Sequence, residues 1–252
     1  MKKILIITDA WEPQVNGVVT TMTTVVKKLK EKNFKVEVIH PGMFHTFPLP
    51  NYPEISVAWN FWDLKKKIEK FDADYMHISV EGPLGVTGRH YCLENNIPYT
   101  TCIHTKFPEY VYERFGIGLD VTKGLLKWFH NPAAKTLVNT ISHKEELEQD
   151  GFTDLVLWSR GFDEKIFYPC PNGGKKKYLL YVGRVAVEKN IEEFLKMPSH
   201  LPKVVVGGGP SLKSYAKKYP DVEFVGFKKG KELADYYSCL LYTSDAADER
   251  RC

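Results

Sequence analysis

Long hydrophobic runs are missing from this chain of 252 residues. The first apolar run, Ile4-Leu5-Ile6-Ile7, is far shorter than the roughly 20 residues of a membrane span or the apolar centre of a secretory leader. That argues against both and points to the cytoplasm. Cysteine is scarce, with Cys92, Cys102, Cys170, Cys239 and Cys252 and no CxxC spacing. A zinc ribbon and a disulfide framework are therefore not expected, and the thiols read as free in a reducing compartment. Excess charge of one sign is also lacking. Lys plus Arg number 35 against 31 Asp plus Glu, a net +4. That is too weak to predict a nucleic-acid partner, and the clusters Lys27-Lys28, Lys65-Lys66-Lys67 and Lys175-Lys176-Lys177 read as solvated faces. No unit repeats with a period of 20–50 residues. No complete GxGxxG follows the first strand, which disfavours a dinucleotide-dependent dehydrogenase.

What is present is a regular alternation of strand and helix patterns. Lys3–Thr8 reads as a buried parallel strand. After the loop Asp9–Gly17, Val18, Met22, Val25, Val26 and Leu29 recur at helical spacing, with lysines opposite. Strands follow at Phe34–Ile39, Tyr75–Ile78, Tyr99–Ile103 and Thr136–Ile141, and helices at Leu64–Phe71, Leu84–Glu94 and His143–Gln149. Pro41–Pro53 reads as a proline-rich connection. Trp158–Pro171 is an irregular connector that runs into Asn172-Gly173-Gly174, the density of Pro and Gly that marks a domain boundary. A second run then opens, with strands Tyr178–Val182, Val204–Val206 and Val222–Val225 and helices Ile191–Met197, Leu212–Tyr219 and Lys231–Tyr237. The expectation is an α/β fold of two Rossmann-like domains, 1–168 and 169–238, the second incomplete. Residues 239–252 are polar and aperiodic where another buried strand is due.

Open α/β sheets bind ligands beyond the carboxyl ends of their strands, so candidate residues are sought there. Asn16-Gly17 precedes the first helix, whose N-terminal amides can meet an anion. A plain strand-to-helix turn explains the pair as well. Gly183-Arg184 and Lys189 bracket the gap between a strand end and the helix from Ile191, where two cations suit a diphosphate. Solvated charge is the rival reading. Asn190 and Glu193 have the spacing of an N-cap and capping box. Gly207-Gly208-Gly209-Pro210 is a partial phosphate-loop pattern or a tight turn. His104 and Glu81 each follow a strand, although a lone His is more often structural. Asp72-Ala73-Asp74 has the spacing of a metal-binding DxD but precedes its strand, at the wrong edge, and reads as a turn. Residues 105–130 mix aromatics with Lys and Arg, which suits a membrane interface or an ordinary core.

In their order and spacing, ITDAWEPQVNGVV, EGPLG, HTKFPEY, LWSRGFDEKIFYP, YVGRVAVEKN, VVVGGGP and VEFVGFKKGKELADYYS resemble the retaining GT-B glycosyltransferases of family 4, in the mannosyltransferase-like and sulfoquinovosyltransferase-like branch. The resemblance runs from Lys3 to about Ser238. It implies transfer of a hexose from a nucleotide-diphosphate sugar to an acceptor hydroxyl with retention, the acceptor being a lipid or lipid-linked glycan. No cofactor or metal is implied. Arg184 and Lys189, with Gly183, match the residues that stabilise the leaving diphosphate. Asn16 and Gly17 match the loop near the acceptor and donor phosphates, where Glu81 is grouped with them. His104 matches an active-site His near the transferred sugar, and Arg160, Gly161 and Asp163 match the connector near an interdomain cleft.

The resemblance also implies a further strand and an acidic E-x7-E motif, which grips the donor's sugar and ribose and is absent from this sequence. The tail LLYTSDAADERR resembles translated sequencing adapter. These features predict an inactive fragment of an enzyme that works in the cytoplasm, at the inner face of the membrane where residues 105–130 attach it. A non-catalytic phosphate- or lipid-binding α/β module is the alternative.

Overall fold

Alternation along β1 (Lys3–Ile7) sets the layers of the first unit. Side chains of a strand point to opposite faces in turn. Ile6 and its neighbour Ile4 pack with Met22 and Val26 of α1 (Gly17–Glu31). Leu5 and Ile7 pack on the other face with Leu64, Ile68 and Phe71 of α2 (Leu64–Phe71) and Leu84 and Cys92 of α3 (Pro83–Glu94). The computed structural model describes residues 1–14, 16–49, 52–105, 108, 118–168 and 178–238, without the side chains of 52–54 and 188. Two compact units divide between Arg160 and Gly161, inside the irregular connector and ahead of the 168/169 position expected from sequence.

In the first unit, β2 (Lys35–Ile39), β5 (Tyr75–Ile78), β6 (Tyr99–Ile103), β7 (Lys135–Val138) and β8 (Leu155–Leu157) join β1 in a parallel sheet of order β2-β1-β5-β6-β7-β8. The order reverses at β1, the topological switch point of a doubly wound sheet. Two further helices, α4 (Leu119–His130) and α5 (Ile141–Gln149), link β6 to β7 and β7 to β8. Buried Arg89 of α3 donates from Nε to the Phe129 carbonyl and from Nη2 to that of Trp128, at 3.2 and 2.5 Å. A cation there satisfies carbonyls that the last turn of α4 leaves open.

Two elements depart from expectation. The proline-rich stretch contains an antiparallel ribbon, β3 (Thr46–Leu49) with β4 (Tyr52–Ala58). Pro48 sits in β3, where it costs little in a two-stranded ribbon with open edges. β8, three residues long, carries too little pattern to be read from sequence. The DxD stretch is a turn: Asp72 ends α2 in the left-handed conformation at φ 53°, and Asp74 Oδ2 accepts from the Lys3 amide at 2.6 Å.

The described part of the second unit has a parallel sheet of order β11-β10-β9, from β9 (Leu179–Val182), β10 (Lys203–Val206) and β11 (Val222–Gly226). Helices α6 (Ile191–Lys196), α7 (Leu212–Lys218) and α8 (Gly230–Ser238) accompany it. Its core gathers Tyr181, Val185, Ile191, Leu195 and Val205. Residues 239–252, expected to be a non-native tail, lie outside the described residues.

Candidate active site

Because the strands of the first sheet are parallel, residues just past their ends collect along one edge. Asp9 follows β1, Ser79 and Glu81 follow β5, His104 follows β6 and Asn139 follows β7. His104, which is 9% exposed, is the best-held of them. Its Nε2 lies 3.1 Å from Ser79 Oγ, and its Nδ1 lies 3.0 Å from Arg160 Nη2. A guanidinium can only donate, so Nδ1 must accept and the ring proton sits on Nε2, directed at Ser79. The His104 carbonyl also accepts from Arg160 Nη2 and from Asn139 Nδ2, at 3.2 and 3.3 Å. Burial first, and the Arg160 charge second, push the His104 pKa down to about 3. The ring is therefore neutral at physiological pH.

Asp9 serves a different end. Its Oδ1 and Oδ2 accept from the Leu84 and Gly85 amides, each at 3.0 Å. These are orphan donors of the first turn of α3, whose own cap, Gly82, has no side chain to offer. Asp9 also leaves no room for a side chain at Gly82, where a Cβ would come within 2.3 Å of the Asp9 carboxyl carbon. Desolvation, opposed by those two amide bonds and assisted by the Glu81 charge, raises the Asp9 pKa to about 6. In the unfolded chain the carboxyl ionises near 3.8. Asp9 thus contributes stability that is fully present below that value and is lost as pH rises through 6. Asp9→Ala is expected to cost about 1–2 kcal/mol by leaving two amides unpaired. Urea melts from pH 4 to 7 should show the gap between wild type and variant shrinking as pH rises.

Glu81 accepts from His130 Nε2 at 3.0 Å, and His130 Nδ1 lies 2.9 Å from Thr101 Oγ1, which lies 2.9 Å from Thr136 Oγ1. His130 itself is 1% exposed. This buried chain ties the end of α4 to the sheet edge and orients the Glu81 carboxylate. Asn16 caps α1, accepting from the Val19 amide at 3.0 Å, while its Nδ2 donates to Gln14 Oε1 at 3.3 Å. Gly17 opens α1 and is exposed, and a Cβ on it would stand an ordinary 3.6 Å from Arg160 Nη1. Asn16, Gly17, Glu81, His104 and Arg160 therefore share the first unit.

Gly161, Asp163, Gly183, Arg184 and Lys189 belong to the second. Asp163 turns inward on its own loop. Its Oδ1 accepts from the Lys165 amide, and its carbonyl accepts from the Ile166 and Phe167 amides. A Cβ at Gly161 would meet nothing within 4 Å. Past the strand ends, the Gly183 amide donates to the Val206 carbonyl at 3.0 Å, the Val185 amide to Gly208 at 2.9 Å and the Gly207 amide to Gly226 at 2.8 Å. The glycine run is thus the place where one loop's backbone lies against another. Arg184 is half-buried beside it, and Lys189 ends a short 3-10 turn, Val187–Lys189, with its side chain exposed.

The capping box expected at α6 does not form. Asn190 adopts the left-handed conformation at φ 46° and makes no side-chain cap bond. The 3-10 turn runs directly into the helix, and the Asn190 backbone carbonyl accepts from the Glu193 amide at 3.2 Å instead. Sequence reading passed over Asp9, Ser79, Asn139 and His130. The first three follow strands, which is a usable signal, but His130 ends a helix and is brought to Glu81 only by packing.

Residues 15–165, more than half of the chain, match the model of Glycosyltransferase Family 4. The chain belongs to that family. The chain is 25% identical to the GDP-mannose-dependent alpha-mannosyltransferase of Corynebacterium glutamicum, over 94% of its own length and 65% of that protein. It is 23% identical to the alpha-monoglucosyldiacylglycerol synthase of Acholeplasma laidlawii, over 93% of this chain and 72% of that one. The chain thus spans about two thirds of the length of these relatives. Among solved structures it is similar to Anabaena HepE in complex with UDP and glucose, at a TM-score of 0.64 and 14% identity, over 95% of this chain and 73% of that one. That likeness bears on fold, which is α/β with Rossmann-like units, as in the GT-B glycosyltransferases.

Proposed function

We propose that this Family 4 chain is the larger part of a retaining hexosyltransferase. It would move a hexose, with mannose the first to test, from a nucleotide-diphosphate sugar to a hydroxyl of a lipid or lipid-linked glycan. The observation that carries the reading is His104, held neutral by burial and Arg160 at the carboxyl edge of the sheet. A neutral imidazole whose Nε2 proton lies on Ser79 Oγ orients that hydroxyl and carries no charge that would draw the donor's phosphates to itself. In the reaction, the bond from the anomeric carbon to the diphosphate oxygen breaks and a bond to the acceptor oxygen forms on the same face. The acceptor proton leaves with the diphosphate. Negative charge grows on the leaving group, and Arg184 and Lys189, beside Gly183, are the cations that oppose it. Within the first unit, the first turn of α1, entered through Asn16 and Gly17, offers amides of its own to an anion. Glu81, oriented by His130, faces the acceptor side. Gly161 and Asp163 shape the connector. No cofactor or metal takes part.

The lipid acceptor is supported by the described part of residues 105–130. On α4, Val121, Leu125 and Trp128 are 69%, 57% and 48% exposed and recur at helical spacing. Residues 106, 107 and 109–117, with most of the aromatics expected to contact a membrane, lie outside the described residues. Among those described, no helix is long and apolar enough to cross a membrane. The reading places the protein in the cytoplasm, attached peripherally to the inner face.

The test is turnover by the longer polypeptide that this reading requires, with GDP-mannose or UDP-hexoses and a lipid extract, in EDTA. The expected product keeps the donor's anomeric configuration by NMR. Arg184→Ala is expected to lower kcat about 10²–10³-fold. Residues 1–252 alone, lacking about a third of the relatives' length, are expected to turn over nothing. Diphosphate binding without turnover of any nucleotide sugar would leave a non-catalytic module.

A further inference from the structure

His104 has no ring nitrogen left for a ligand. Arg160 takes Nδ1 and Ser79 takes Nε2, at 3.0 and 3.1 Å. The polar groups still open at this edge belong to two neighbours that meet the His104 carbonyl. Arg160 reaches it through Nη2 at 3.2 Å and Asn139 through Nδ2 at 3.3 Å. Each spends one part of its head there and holds another part in reserve.

Strand register puts Asn139 in place. In the parallel pair β6 and β7, Cys102 stands opposite Leu137 and Ile103 opposite Val138. His104 and Asn139 follow one step on, side by side and on the face of Cys102 and Leu137. A carbonyl only accepts, so the amide nitrogen of Asn139 must face the His104 oxygen. The swapped orientation would set two acceptors against each other. Oδ1 is thereby forced to face away from His104. There it is buried and has no hydrogen-bond partner among the described residues. The adjacent hydroxyl, Thr140 Oγ1, is committed to capping α5, where it accepts from the His143 amide at 3.2 Å. A buried oxygen without a donor is uncommon, because nothing replaces its lost hydration. Asn139 as a residue is only half-buried, so its amide sits just beneath the surface.

Arg160 has the opposite character. Its Nη2 is spent on His104, whereas Nε and Nη1 have no partner among the described residues. Nη1 lies toward the start of α1, where a Cβ on Gly17 would stand 3.6 Å from it. Open donors and an open acceptor therefore flank one backbone oxygen. A phosphate would satisfy Arg160 but set a further acceptor against Oδ1. An ammonium would satisfy Oδ1 but meet the charge of the guanidinium. A neutral polyol both donates and accepts, and suits the two together.

We propose that Asn139 and Arg160 form a neutral hydroxyl-binding position, in which Asn139 Oδ1 reads one sugar hydroxyl. The choice of a sugar rests on the transferase reading, and the choice of a hydroxyl over an anion does not.

Nitrogen-15 NMR of residues 1–252, titrated with methyl α-mannoside and no nucleotide, tests the position apart from catalysis. The Asn139 carboxamide signals, assigned through Asn139→Asp, are expected to shift. One of the monodeoxy mannosides should bind about tenfold or more weakly than the parent, and Asn139→Ala should bind those two alike. Asn139→Leu, which keeps the volume, repeats the test should the alanine variant unfold. Inorganic phosphate should leave the Asn139 signals in place. No shift with any mannoside would overturn the proposal and leave Oδ1 to an ordered water. So would equal binding of every deoxy analogue by the wild type, or phosphate moving the Asn139 signals as far as the mannoside does. In the longer polypeptide, an equal preference for the parent sugar donor in wild type and Asn139→Ala would sink this position and spare the transferase reading. Discriminating sugar binding without turnover of any nucleotide sugar would do the reverse.

Discussion

Arg160→Ala is expected to release the His104 ring and, in the longer transferase proposed above, to lower turnover by about 10²-fold or more, with KM for the proposed donor changed far less. The guanidinium is the donor at Nδ1, so its loss removes the group that holds the proton on Nε2. The neighbouring Cys102 Sγ, 3.7 Å from Nδ1, is a much weaker donor. The alanine variant also loses a bond to the His104 carbonyl, which positions the backbone that carries the ring. Nitrogen-15 NMR of the imidazole should show a single Nε2–H tautomer in the wild type and a mixture in the variant. The His104 pKa should rise from about 3, yet stay below its ordinary 6.5, because burial rather than Arg160 is the first cause of the depression. Arg160→Lys keeps the charge without the planar fork and should recover only part of the rate. An unchanged tautomer with unchanged turnover would remove Arg160 from the site.

Gly207→Ala is expected to destabilise the second unit by about 3–5 kcal/mol, a large fraction of the stability of an ordinary domain. Gly207 has φ 146°, which L side chains rarely adopt, and an added Cβ would stand 1.8 Å from the Gly183 carbonyl oxygen. That oxygen is backbone and cannot rotate away. The strand ends would have to part, breaking the bonds that join Gly183 to Val206 and Val185 to Gly208. Gly208→Ala supplies the control within the same run, since a Cβ there meets nothing within 4 Å and should cost well under 1 kcal/mol. Amide exchange across residues 178–238 separates the two outcomes. Equal protection in both variants would mean that the loops are not as closely apposed as the structure shows.

These two residues mark how far sequence reading reached. The alternation of buried strands and helices was legible from Lys3 to about Ser238, because parallel strands covered on both faces need short apolar runs, and helices on a sheet need one apolar stripe. The strands missed were those without that signature: β3 and β4, a ribbon outside the main sheet, and β8, too short to show a period. His104, Glu81, Asn16 and Arg184 could be nominated because strand order alone predicts which edge of a sheet meets ligands. The glycine run could not be told from a phosphate loop or a simple turn, since its use depends on a carbonyl from another strand.

Sequence by itself determined the fold class, the family and the candidates, all of which follow from local period and from the order of motifs. Only the tertiary structure decided which partner each candidate has. It set Arg160 against His104, 56 residues apart, and His130 against Glu81, 49 apart. It gave Asp9 to the first turn of α3, and it replaced the expected cap at Asn190 by a left-handed residue. A hydrogen bond depends on positions in space that sheet pairing and helix packing fix together, and no window of sequence contains both of its ends.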